Sequence, residues 1–211
     1  MELAVVSLVV IVLVLVYFLL EIHYFFRQLI SYLHSRFFKK KLHVLDVSTY
    51  SSICLTTDID VLLYHMNNAR YLREVDFART DFLTRTGLWQ RLREKGGSLF
   101  QGATSIRYRR FIRLFSLYHI TTQVVYWDES SFYTEHRFIS KHDNFIRAII
   151  YGRTKIVNCN VEELMADLMK NPLTKTSNDI RLKPECPPEI KLWDESTMVS
   201  RTKLRASSES V

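Results

Sequence analysis

The chain opens on an unbroken hydrophobic block: from Leu3 to Leu20 every position except Ser7 and Tyr17 is aliphatic or phenylalanine, and none is charged. A helix needs about 20 such residues to cross the hydrocarbon core of a bilayer. The pattern therefore predicts one N-terminal transmembrane helix over residues 1–22. Two other readings stand beside it, a cleaved signal peptide and a buried core helix. A signal peptide calls for a basic start and a small-residue cleavage site, whereas this chain begins Met1-Glu2 and leaves the block through Tyr17-Phe-Leu-Leu-Glu. Residues 23–43 interleave Tyr24, Phe25, Phe26, Ile30, Tyr32 and Leu33 with Arg27, Arg36 and the triplet Lys39-Lys40-Lys41. This is a basic amphipathic stalk that either prolongs the helix or lies in the interface. Basic flanks stay on the cytoplasmic side, so the body is expected to face the cytosol.

From Val44 the pattern becomes globular. Ser51 to Thr57 reads as a short strand. Tyr71, Val75, Ala78 and Phe82 then recur at helical spacing and place one apolar stripe along a long helix. Asn67 or Asn68 supplies its N-cap and Gly87 its stop. Arg70 with Glu74 and Asp81 with Arg85 fall four apart, which suggests exposed ion pairs on the opposite, wetter surface. A short helix over Leu88 to Lys95 precedes four strand candidates: Ser98 to Arg110, Tyr118 to Asp128, Ser131 to Ser140 and Asn144 to Val157. In the last, Ile146, Ala148, Ile150, Gly152, Thr154 and Ile156 alternate with Arg147, Arg153 and Lys155, so one face is dry. Tight links at Asp128-Glu-Ser and Lys141-His-Asp-Asn predict antiparallel hairpins. A long helix followed by consecutive antiparallel strands is an α+β pattern, a helix wrapped by a curved sheet of about five strands. Asn160 opens a helix over Val161 to Lys170 that Pro172 ends. Pro184-Glu-Cys-Pro-Pro reads as a linker, and the Ser-rich end beyond Arg201 as disordered.

The 211 residues, less the hydrophobic block, suffice for about one packed domain, and 13% aromatic content with 5 Gly and 4 Pro argues against a low-complexity body. This gives four regions: an anchor at 1–22, the stalk at 23–43, the domain at 44–175 and a C-terminal extension at 176–211. The 3 cysteines, widely spaced, form neither a disulfide framework nor a metal motif. His119, His136 and His142 likewise lack metal-ligand spacing. The formal charge of +7 is spread along the chain rather than gathered, which points to anionic lipid or phosphate rather than nucleic acid.

Asp58-Ile-Asp60, followed by His65-Met66-Asn67-Asn68-Ala69-Arg70-Tyr71, resembles the signature of the hotdog-fold acyl-CoA thioesterases of the four-hydroxybenzoyl-CoA type. The hydrophobic N-terminus, the run Asn-Asn-Ala-Arg-Tyr-Leu-Arg-Glu and the late Pro-Pro-Glu before Trp193 resemble its membrane-associated branch, the thioesterase superfamily member six group. The resemblance implies a hotdog domain, at least a homodimer with composite sites, residence in the endoplasmic reticulum, an acyl-CoA or acyl-chain ligand, and no cofactor other than the coenzyme A carried by the substrate.

On that resemblance Asp60 is the general base or nucleophile, while Asn68 fixes the start of the helix whose amides face the developing oxyanion. His65 either orients water or substrate, or builds the turn together with the two Asn residues. Asn67 and Tyr71 fall on the substrate side. Arg107 and Arg109, sharing one strand face by alternation, either grip CoA phosphates or form a solvated surface. The chain departs from the motif in two respects. Four residues, Val61-Leu-Leu-Tyr64, separate Asp60 from His65 where three are usual, and Tyr64 replaces the Gly before the His. Asp58 is thus a second candidate acid. Two functions follow: a membrane-anchored acyl-CoA thioesterase, or a non-catalytic hotdog module that binds acyl chains or partner proteins at the membrane.

Overall fold

A computed structural model describes residues 2–170 and 181–208. Its centre is helix α3 (Asn68–Arg85), around which five strands curl: β1 (Ser48–Ile53), β2 (Ser98–Tyr108), β3 (Leu117–Trp127), β4 (Ser131–Ser140) and β5 (Ile146–Val157). All neighbours are antiparallel, in the order β1-β3-β4-β5-β2. Register shifts between Gln101 and Ala103 and between Val124 and Tyr126 give the sheet local bends of the kind that β-bulges produce. The first strand begins three residues earlier than its sequence pattern suggests, because Ser48 already pairs with Thr122 of β3.

The stripe read on α3 is the one the sheet covers. Tyr71, Ala78 and Phe82 are buried, Tyr71 against Phe138 and Tyr108. A side chain of the size of Phe82 contributes about 1.5–3 kcal/mol through burial. A second cluster lies beyond the end of α3, where Phe82, Leu88 and Trp127 meet Leu164 and Met165 of α5 (Val161–Met169). Gly87, at φ 75°, turns the chain from α3 into the short α4 (Leu88–Glu94), a left-handed conformation that suits glycine. Asn160 caps α5 by accepting from the Glu163 N–H. Pro172 lies outside the described residues.

Two elements add to this frame. Helix α2 (Ile22–Phe37), in the region read as a stalk, packs lengthwise on α3. The two helices run in the same direction, with Glu21 paired to Arg73, Tyr24 to Asp76, Gln28 to Thr80 and Ser35 to Asp81. This corrects the expectation that Glu74 and Asp81 sit on a wet surface. Both are buried, because α2 covers that side of α3. Glu74 accepts from Arg27, Ser52 and Tyr118 rather than forming a local pair with Arg70. The outer side of α2 leaves Phe25, Phe26, Leu29, Ile30 and Phe37 exposed.

The C-terminal extension is also structured. Helix α6 (Pro188–Ser208) replaces the disorder expected beyond Arg201 as far as Ser208. It lies on the outer face of β4 and β5, with Ile190 buried, Trp193 edge-on to Tyr133, and Asp194 paired to Arg153. At the other end, α1 (Glu2–Leu19) exposes every side chain described in it. Among the described residues no single helix is long and apolar enough to cross a membrane. Glu2–Tyr17 and Ile22–Phe37, bent by 63°, pass that test as a pair on length and composition.

Candidate active site

The signature residues gather where the chain enters α3. A bridge between Ile59 and Met66 closes a small loop, held by the Asp60 N–H donating to the His65 carbonyl at 2.9 Å. Within it the Leu63 N–H donates to the Asp60 carbonyl at 3.0 Å, and Leu63 takes a left-handed φ of 54°. The residue added between Asp60 and His65 is thus absorbed by a turn that points outward.

The two acids differ in their surroundings. Asp58 is buried, and its carboxylate accepts from the Leu55 N–H at 2.9 Å while its carbonyl accepts from the Asn67 N–H at 2.8 Å. Burial raises its pKa above the usual carboxylate range, against the opposing pull of the Leu55 N–H. It is occupied in building the turn. Asp60 has its Oδ1 buried without a hydrogen-bond partner and its Oδ2 3.7 Å from His65 Nε2. That separation is too long for a hydrogen bond but suits a bridging water or substrate oxygen. His65 is held from its other side, with Nδ1 3.1 Å from the Met66 carbonyl and its ring stacked on Phe111 at 5.3 Å.

Helix α3 is capped by Asn67, whose side chain accepts from the Ala69 N–H at 2.9 Å, and not by Asn68. The reason is backbone conformation: Asn67 is extended (φ −61°, ψ 138°), as a capping residue must be, and Asn68 is already helical. Asn68 therefore offers a first-turn amide, while its carbonyl accepts from the Tyr108 hydroxyl at 2.9 Å. Tyr71, one turn on, is buried in the core, and burial pushes its phenol up to about 12.

Arg107 and Arg109 are not brought together. Strand β2 ends at Tyr108, so alternation no longer governs Arg109, whose guanidinium lies 4.7 Å over the Phe145 ring. Arg107 lines a separate cleft with Ile149, Tyr151 and Trp193. The neighbours of the signature loop come instead from 110–117. His65 bridges to Arg113, Phe111 stacks on His65, and Arg113 reaches over Tyr64. Phe111 and Arg113 also wall an open cavity of about 880 Å³ with Arg110, Phe115, Lys141 and Arg147. Phe111 was visible in the sequence only as an aromatic amid arginines, and nothing local ties it to a histidine 46 positions earlier. Among the described residues no cluster of His, Cys, Asp or Glu is placed to hold a metal ion.

Residues 54–193 match the thioesterase-like superfamily. Protein THEM6 of Drosophila melanogaster is 40% identical over 195 residues, covering 92% of this chain and 96% of that protein. The chain belongs to the thioesterase-like superfamily and, within it, to the THEM6 family. Its fold agrees with solved superfamily structures. YbaW, a probable thioesterase from Escherichia coli, superposes with a TM-score of 0.54 at 20% identity, covering 58% of this chain and 96% of that one. Slr0204, a 1,4-dihydroxy-2-naphthoyl-CoA thioesterase from Synechocystis, gives a TM-score of 0.52 at 10% identity, over 60% of this chain and 98% of that one. The superfamily's hotdog fold is the α+β arrangement of α3 within its five strands. The THEM6 relationship extends beyond it, because the aligned 195 residues exceed the hotdog portion.

Proposed function

We propose that this THEM6-family protein is an acyl-CoA thioesterase held at a membrane by α1. The observation that carries the reading is the Asp60 carboxylate, whose Oδ2 faces His65 Nε2 at 3.7 Å and whose Oδ1 has no hydrogen-bond partner, in the loop that enters α3. A carboxylate so placed accepts a proton from water. The water oxygen attacks the thioester carbonyl, the carbon–sulfur bond breaks, and the proton passes to the departing CoA sulfur, leaving a carboxylic acid and a thiol. The Asn68 N–H and the positive end of α3 suit the developing oxyanion. His65 orients the water. Asn67 supports this arrangement by capping the helix, and Arg107 and Arg109, on either side of the Tyr108 whose hydroxyl meets the Asn68 carbonyl, are the proposed phosphate ligands.

The remaining expectations attach to the same reading. β2 is an edge strand, and a second copy pairing there gives the homodimer. The exposed apolar length of α1 supports an anchor, and the basic Arg36 and Lys39–Lys41 support a cytosol-facing domain. The resemblance names the endoplasmic reticulum as the membrane. Protease protection of tags at the two termini tests the orientation, and a protected C-terminal tag reverses it.

Activity is tested with the full-length protein in vesicles against acyl-CoAs of graded length. Asp60→Asn is expected to lose about a hundredfold or more in turnover, while Asp58→Asn retains most of it. Absence of turnover at every chain length, with acyl-CoA still bound, replaces the enzyme by the non-catalytic binding module.

A further inference from the structure

We propose that the end of the domain carrying the site mouth docks on an anionic bilayer, with the tip Val61-Leu62-Leu63 inserted among the lipid chains. The proposal rests on the anchoring role of α1 given above and adds a second, separate contact.

Three observations carry it. The turn that absorbs the added residue displays Val61, Leu62 and Leu63 at 92%, 77% and 71% exposure, bare aliphatic side chains at the tip of a loop. Beside it, Phe115 is exposed at the tip of the 110–117 loop. Leu63 and Phe115 both hold left-handed backbones, at φ 54° and 58°, where turns ordinarily place glycine or asparagine. Two neighbouring turns thus present large apolar residues to the outside at positions that suit small polar ones.

Charge is the second observation. Arg110, Arg113 and Lys141 share the wall of the 880 Å³ cavity with Phe115, and Arg113 bridges to His65 at the foot of the Val61–Leu63 turn. Among the described residues none of the three has a carboxylate partner at ion-pair distance. Apolar tips beside unneutralised cations match the two layers of an anionic membrane surface, chains below and phosphates above.

Orientation is the third. α2 and α3 run in the same direction, and Arg27 near the start of α2 reaches Ser52 at the end of β1. The junction from which α1 departs is therefore at the same end of the molecule as the loop that enters α3. With α1 inserted in the bilayer and α2 leaving at 63°, that end faces the lipid. His65, stacked on Phe111, then lies at the membrane surface, where an amphipathic substrate need not cross water.

The test uses the full-length protein in phosphatidylcholine vesicles with and without phosphatidylserine. A fluorophore is placed at Leu62→Cys, at Val10→Cys in α1, or at Gln90→Cys in α4, with Cys159 and Cys186 replaced by Ser; Cys54 is buried. The expected result is quenching at position 62 by chain-borne quenchers, stronger with phosphatidylserine, while position 90 stays in water. Arg110→Ser with Arg113→Ser is expected to reduce the docked-to-free ratio by up to about fivefold per charge removed. Position 62 open to aqueous quencher while position 10 is lipid-shielded overturns the docking and leaves the anchor intact. Both positions open to water removes the anchor as well. Shielding at position 62 without lipid quenching marks a protein partner there and overturns the bilayer assignment.

Discussion

Arg27 of α2 clasps Glu74 of α3 through both carboxylate oxygens, at 2.5 and 2.7 Å, with the guanidinium 4.1 Å above the Phe77 ring. Glu74 is almost wholly buried and also accepts from Tyr118 and Ser52, so its charge is fully satisfied only while α2 is in place. Helix α2 is thereby built into the domain. Any tilt of α2 is passed directly to the helix on which the candidate site is mounted.

Arg27→Ala is therefore expected to lower stability by about 3 kcal/mol, because it leaves a buried carboxylate without its cation. Arg27 is itself one-third exposed, which keeps the loss at the low end of what broken buried pairs show. Glu74→Gln with Arg27→Met, an apolar and hydrogen-bonding substitute pair, recovers part of it. Urea unfolding of the full chain in detergent measures both. A loss below about 0.5 kcal/mol for Arg27→Ala would mean that α2 is only loosely attached.

The two acids of the signature are expected to separate stability from chemistry. Asp58→Ala removes the acceptor for the Leu55 N–H in a buried turn and should cost about 1–2 kcal/mol. Asp60→Asn disturbs an oxygen that has no partner and should stay within about 0.5 kcal/mol of the parent. Thermal unfolding of the two variants checks the ordering. The reverse order would make Asp60 the turn builder and Asp58 the available carboxylate.

What the sequence made legible is whatever depends on local periodicity. Tyr71, Val75, Ala78 and Phe82 announce the buried face of α3, and the alternation from Ile146 to Ile156 announces β5, because each pattern is fixed by the geometry of its own element. The other face of α3 is not legible for the same reason. Glu74 is four residues from Arg70, as in a surface pair, and only the distant arrival of Arg27 makes it a core residue. The choice between Asn67 and Asn68 turned on a backbone angle that two identical neighbours cannot reveal. Asp58 and Asp60 are chemically alike, and hydrogen bonding to Leu55 distinguishes them. Phe111 and Arg113 reach His65 through a bridge between two loops, a contact with no local trace.

Helix α6 was hidden by its polar, Ser-rich composition, and its contacts with the sheet include buried Ile190, Trp193 against Tyr133, Tyr151 with Glu189, and Asp194 with Arg153 at 2.7 Å and with Tyr133. Asp194→Ala with Trp193→Ala should therefore release residues 188–208 without unfolding the sheet. Hydrogen exchange is the measure. Amides of α6 are expected to lose protection while those of β4 and β5 keep theirs, since local opening needs only the local contacts to fail. Simultaneous loss across β4 and β5 would make α6 part of the cooperative core.

The last expectation concerns acid. His136 is buried on the α3 side of β4, with Nδ1 2.9 Å from the Thr122 hydroxyl and Nε2 3.0 Å from that of Thr134. Burial, reinforced by the positive charge of Arg79, depresses its pKa to about 3. The unfolded chain titrates near the ordinary value of about 6.5, so below that pH it binds a proton that the native state refuses. Stability from this group is complete above about pH 6.5 and falls as pH drops toward the folded pKa, by about 2 kcal/mol between pH 7 and pH 5. His119, also held low by burial and by Lys141, adds with the same sign. Asp58, whose pKa is raised, opposes it as the carboxyl range is reached. His136→Gln isolates the effect: whatever its stability at pH 7, the loss between pH 7 and pH 5 should shrink by about 2 kcal/mol in urea titrations at the two pH values. An unchanged slope would mean that His136 takes up its proton within the fold, and that the space between the two threonines is open to water.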